Sequence, residues 1–151
     1  MVIAGAVLGA VFYSAVLTLH QVISNQHVAY AVYNSSLVSD SLLVHTTNRL
    51  YFADISLDSE LFIWQLLGIS QGEFETRYKS DIFSYRIEID NFNFSTGLSM
   101  PRAVFFCDSP SISLSNNTTN ALLVSVYVYD KNDNLLTSVF RPLLLKAIEL
   151  L

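Results

Sequence analysis

The chain has 151 residues, 52% of them hydrophobic and only 14% charged, so the surface it offers to water must be largely neutral and polar. A net charge of −5 argues against nucleic acid and anionic lipid surfaces as partners. Its single cysteine, Cys107, excludes an internal disulfide and a cysteine metal site, and its apolar neighbours Ala103 to Phe106 suit a small buried hydrophobe.

The first 39 residues contain no Asp, Glu, Lys or Arg. Met1 to Leu19 is apolar almost throughout, and as a helix at about 1.5 Å per residue it approaches the roughly 30 Å of a bilayer's hydrocarbon core. His20 and Gln21 admit polarity, yet Val22, Ile23, Val28, Tyr30, Val32 and Tyr33 keep returning. Three readings compete for this segment. A secretory signal peptide carries a positive n-region and a shorter apolar run, whereas the first basic residue here is Arg49. A membrane anchor is ordinarily oriented by flanking Lys or Arg. An assembly helix whose basic leader has been removed accounts for the missing flank. Ala4, Gly5, Ala6, Gly9, Ala10, Ser14 and Ala15 occupy the first turns, with Gly5 and Gly9 in GxxxG spacing. In apolar surroundings such residues let helix backbones approach closely. Gly5, Gly9, Ala10, Phe12, Tyr13 and Ser14 are therefore the candidate assembly residues.

The helix is expected to end between Ser35 and Thr47, giving a helical segment over 1–45 and a separate domain over 46–151. That remainder is long enough for one domain with its own core. Ala53, Ile55 and Leu57 alternate with Asp54, Ser56 and Asp58, which predicts a strand. Leu61 to Leu67 reads as a central strand or a short buried helix. Gln71 to Asp81 reads as a loop. Tyr85, Ile87 and Ile89 share one face of the next strand, but Phe92 and Phe94 continue in the opposite phase, so a bulge or break is implied at Asp90–Asn91. Thr96-Gly97 turns the chain and Arg102 to Asp108 forms another strand. Leu122, Val124, Val126 and Val128 then alternate with Leu123, Ser125, Tyr127 and Tyr129. Asp130 to Asn134 makes a hairpin turn into Leu135–Phe140. Pro142 limits Leu143–Leu151 to an edge strand or a short terminal helix. The expected fold is α+β: a long apolar N-terminal helix followed by an antiparallel, immunoglobulin-like β-sandwich.

Little in the chain proposes chemistry. No hydrolase, zinc-protease, P-loop or dinucleotide fingerprint occurs, so neither an enzyme nor a cofactor is expected. His20 and His27 lie seven apart without a nearby carboxylate, which suits polar contacts between packed helices better than a metal. Asp130-Lys-Asn-Asp-Asn134 imitates the start of a calcium loop, but Leu135 and Arg141 stand where Gly and Glu are needed. Four glycosylation sequons begin at Asn34, Asn93, Asn116 and Asn117. The polar loop around Asn116 and Asn117 is the best placed for an N-linked glycan, with Asn93 expected in a strand and Asn34 in or near the helix.

An uncharged apolar helix followed by a single β-domain resembles, over the architecture of the whole chain, the archaeal type IV pilin-like subunits, a superfamily that includes adhesion pilins and archaeal flagellins. The resemblance implies an extracellular cell-surface filament for adhesion or motility. Helices would be membrane-embedded before assembly and then polymerise into a core, with glycosylated β-domains outside. The chain departs from the bacterial pattern at Gly5, where bacterial pilins carry a glutamate. The alternative is a single-pass membrane protein with an extracellular β-sandwich that serves as a binding or stator-like module.

Overall fold

The computed structural model describes residues 2–78, 82–116 and 119–145. Its contacts divide the chain into two compact units, Met1–Asn34 and Ser35–Leu151. The division falls inside a helix, α1 (Val2–Phe52), which runs five residues beyond the latest end expected from the sequence. No proline and no glycine after Gly9 interrupts it. Asn34-Ser-Ser does not stop it either, because Ser and Thr hydroxyls can turn back onto their own helix. Ser39 Oγ donates to the Ser36 carbonyl at 2.9 Å and Thr47 Oγ1 to that of Leu43 at 2.8 Å.

In the first unit the helix is uncharged, apolar on every side over residues 3–12 and mixed with polar residues from His20 to His27, and the side chains described between Ile3 and Tyr33 are all exposed. In the second unit it is amphipathic. Ser35, Ser39, Leu42, Leu43, Thr46, Thr47 and Leu50 recur every three or four residues and are buried. They join the core formed with α2 (Ile63–Leu67), α3 (Gln71–Arg77) and one face of the sheet.

The strand expected over Ala53–Leu57 is absent; that stretch is a turn, with Leu57 buried and Ile55 half-buried against the core. Alternation there reflects single side chains dipping inward, since no neighbouring strand is available to pair. The apolar run after Glu60 resolves as the short helix α2, which buries Ile63, Leu66 and Leu67. Gly68 ends it at φ 70°. The segment expected as a loop over 71–81 holds α3 up to Arg77, with residues 79–81 outside the described residues. Ser70 caps α3 by accepting from the Glu73 amide at 3.1 Å, and Phe74 is its buried anchor.

The strands are β1 (Phe83–Phe92), β2 (Ser99–Phe106), β3 (Ile112–Ser113), β4 (Ala121–Asp130) and β5 (Leu135–Leu144). They form one antiparallel sheet in the order β3-β2-β1-β4-β5. The α+β class therefore stands, a long N-terminal helix followed by an antiparallel sheet. The second sheet of a sandwich is not there among the described residues: its place over the apolar face is taken by residues 35–52 of α1 with α2 and α3. Seven buried positions on one helix face already supply the cover that a second sheet would give.

Central strands carry the core. Ile87 sits between Val126 and Phe105, and Ile89 between Val124 and Ala103. An irregularity expected at Asp90–Asn91 is found one residue earlier: pairing of β1 with β2 shifts register between Ile89 and Asp90, with Arg102 of β2 the extra residue and Pro101 opposite Asp90, while β1 pairs with β4 unshifted through Asn91. Pro142 lies within β5, on the outer edge of the sheet, where a missing amide is tolerated. Of Leu143–Leu151, expected as an edge strand or a terminal helix, Leu143 and Leu144 complete the edge strand β5, and residues 146–151 lie outside the described residues.

Candidate functional site

Gly5, Gly9, Ala10, Phe12, Tyr13 and Ser14 all lie on α1 in the first unit and all are exposed. Leu8 is 74% exposed and Phe12 72%. A Cβ added at Gly5 or Gly9 would meet nothing within 4 Å. Nothing among the described residues therefore requires glycine at either position. The helix is long and apolar enough to cross a membrane, and the window that qualifies it has no buried residue. Thr18 donates back to the Ser14 carbonyl at 2.9 Å, hiding one hydroxyl within the helix.

The sequons separate by setting. Asn34 lies inside α1, next to the buried Ser35. Asn93, expected in a strand, sits just past β1, where its Oδ1 accepts from the Ser95 amide at 2.9 Å and the Thr96 amide at 3.3 Å. This Asx turn feeds Gly97 at φ 70°. Asn116 is exposed in the loop before β4, and Asn117 lies outside the described residues.

Titratable groups of the second unit are mostly committed to the fold. Asp130 holds the β4–β5 turn together by accepting from the amides of Asn132 at 2.8 Å and Asn134 at 2.9 Å. Those bonds hold its carboxyl below the usual range and leave little of it for a cation. Burial drives the Tyr85 phenol well upward, with Cys107 beside it; the Tyr85 amide donates to Cys107 Sγ at 3.0 Å. Arg86 pairs with Glu88 at 3.0 Å and lies over the rings of Tyr127 and Tyr129. Among the described residues, no group of three or more His, Cys, Asp and Glu side chains is placed to hold a metal.

One constellation was not anticipated. His45 Nδ1 lies 3.2 Å from the Tyr78 hydroxyl, with Ser41 Oγ at 3.4 Å from the same oxygen. Asp40, Asn48 and Arg77 complete a groove of about 540 Å³ around them. Burial, then the Arg77 and Arg49 guanidinium groups, push the His45 imidazole below its ordinary value. The signal for it was present in Ser70-Gln-Gly-Glu73, a helix-start pattern that places Arg77 and Tyr78 at the end of α3. Gly72 disguised that pattern as a loop. The groove offers the His45 imidazole, the Tyr78 phenol and the Ser41 hydroxyl, with Asp40 on its lining.

No family model, no curated protein and no solved structure matches the chain.

Proposed function

We propose that the chain is a structural subunit of a type IV pilus-like extracellular filament. Copies of residues 3–33 pack together as the core and the β-domain stays outside. The observation that supports this most is an uncharged, largely apolar helix of about thirty residues, exposed wherever its side chains are described and apolar all round over residues 3–12. At about 25 cal/mol per Å² of apolar surface, such a helix is far too costly to leave in water. A one-sided apolar stripe would ask for a single partner surface; apolar residues all round ask for neighbours in every direction. GxxxG spacing and the empty surroundings of Gly5 and Gly9 suit close approach by helices of other copies. Adhesion or motility at the cell surface is the role such a polymer serves, with the helix lodged in the membrane before assembly. Among the described residues, Asn116 and Asn93 are exposed sites for a glycan.

A second reading is favoured by one observation, the capacity of the helix to cross a membrane: a single-pass anchor carrying a binding or stator-like module. Shearing separates the two. A filament subunit leaves the cells as a high-mass polymer without detergent. An anchored module stays with the membrane and extracts in detergent as a monomer or small oligomer.

A further inference from the structure

We infer that Asn93 carries an N-linked glycan whose first sugars fold back into the groove at the β1–β2 turn and cover Phe94, Leu98 and Met100; the inference rests on the extracellular placement of the β-domain proposed above. The turn is built from Asn93. Its amide donates to the Leu98 carbonyl at 2.9 Å, and its own carbonyl accepts from the Gly97 amide at 2.8 Å. Its side chain accepts from the amides of Ser95 and Thr96. Only an oxygen can accept, so these two donors hold Oδ1 and point Nδ2, the atom that takes a glycan, away from them. Among the described residues no hydrogen bond engages that nitrogen, and Asn93 is exposed.

Two donors on Oδ1 also stabilise the form of the amide that has lost an Nδ2 proton, which favours transfer of a sugar to that nitrogen. In that step Nδ2 bonds to the anomeric carbon of a phosphate-linked sugar donor. The bond from that carbon to the phosphate oxygen breaks, with its electron pair leaving on the phosphate, and the displaced Nδ2 proton passes to a base of the transferring enzyme.

The groove that Asn93 lines holds about 670 Å³, within the roughly 300–1,000 Å³ of small-ligand sites. Phe92 and Phe94 meet edge to face at 4.9 Å between ring centroids, and Phe94, Leu98 and Met100 are 55%, 69% and 65% exposed. The hydrogen bonds that close the turn use none of these three side chains. Among the described residues no charged side chain lines the groove; its polar members are amides and hydroxyls, Asn91, Ser99 and Thr119 among them. A sugar suits that lining, because its C–H faces lie on aromatic and aliphatic side chains while its hydroxyls bond amides and hydroxyls. A charged peptide or a phosphate would find no counter-charge there. A sugar on Asn93 is moreover tethered at the groove's own wall, and a short link holds it at an effective concentration of about millimolar.

Trypsin releases residues 87–102 as one peptide, which holds Asn93 as its single sequon and Met100 as its single methionine. Full-length chain taken from its own cells is exposed while folded to hydrogen peroxide, which gives one oxygen atom to the thioether and leaves as water. Mass spectrometry of the peptide then reads both the glycan and the Met100 sulfoxide. Asn93 should be occupied, and Met100 should oxidise several times more slowly than in Ser95→Ala, which loses the sequon but keeps the amide that holds the turn. Phe94→Ser keeps the sequon and the glycan, and should return Met100 to the rate of Ser95→Ala. In urea all three chains should oxidise alike. A bare Asn93, or equal rates in folded wild type and Ser95→Ala, overturns the inference and leaves the filament reading intact, since shearing decides that. A chain found inside the cell and bare at Asn93 and Asn116 alike overturns the extracellular reading as well.

Discussion

Removing residues 35–45 tests the division of labour along α1. The sequence alone would make 46–151 a self-sufficient domain, yet Leu42 is fully buried and Leu43 nearly so, both within the core of the second unit. Burying a leucine contributes about 1.5–3 kcal/mol, so the two together contribute about 3–6 kcal/mol. Half-buried Val38 adds to this. Domain stability is only about 5–15 kcal/mol, so the loss is a large fraction of the whole. Fragments 35–151 and 46–151 should be compared by urea titration. Trp64, the only tryptophan, reports from α2, where it stacks on Phe62 at 4.4 Å between ring centroids. With a slope of about 2 kcal/mol per M, the shorter fragment should melt about 2 M earlier, or be unfolded in water. Coincident midpoints would show that residues 35–45 add nothing to the core, and the helix-on-sheet account would be wrong.

Four smaller perturbations follow from single residues. Gly68→Ala forces a side chain into φ 70° against the Arg49 guanidinium, and thermal melting of fragment 35–151 should show a loss of about 1–2 kcal/mol. Thr46 Oγ1 is buried without a hydrogen-bond partner, so Thr46→Val should raise stability in the same assay by about 1 kcal/mol. Burial raises the Asp90 carboxyl above its ordinary value, partly offset by a Ser99 hydrogen bond. The folded state thus holds that proton more tightly, and stability falls as pH rises through the carboxylate range. Asp90→Asn should therefore stabilise the unit at neutral pH, with the gain vanishing below about pH 4. Gly9→Leu should leave a single chain folded, since nothing lies near that position and Leu is the better helix former, yet abolish filaments in electron micrographs.

The sheet was legible where both faces of a strand carried a signal. Leu122, Val124, Val126 and Val128 alternate with more polar residues and pair as that alternation implies, and the flip at Asp90 marked the register shift one residue away. What escaped was the cover over the sheet. Ser35, Ser39, Thr46 and Thr47 take four of the buried helix positions, and hydroxyl residues do not read as an apolar stripe. They serve there because two of them satisfy their hydroxyls on the helix itself, and small side chains allow close packing. Helix α3 was hidden by Gly72, although its cap and first-turn glutamate were in plain order. Of the candidate site, the long apolar helix that carries Gly5 to Ser14 was legible from its composition alone. The His45–Tyr78 contact was not, because it joins residues 33 apart through a helix that had been taken for a loop.

The two units use their side chains in opposite ways, and this places the functional weight. In the second, the groups most able to do chemistry are already engaged: Asp130 with its turn amides, Cys107 with Tyr85, Arg86 with Glu88, and His45 with Tyr78. Their interactions hold loops and strands in place. In the first, Leu8, Phe12 and Tyr13 are exposed and Gly5 and Gly9 stand in open space. Such a surface lowers free energy only when something outside the chain covers it. A helix whose described side chains change from exposed all round to buried along one face within one turn of Asn34 is therefore matched to two surroundings. Its own domain supplies the second, and the proposed filament would supply the first.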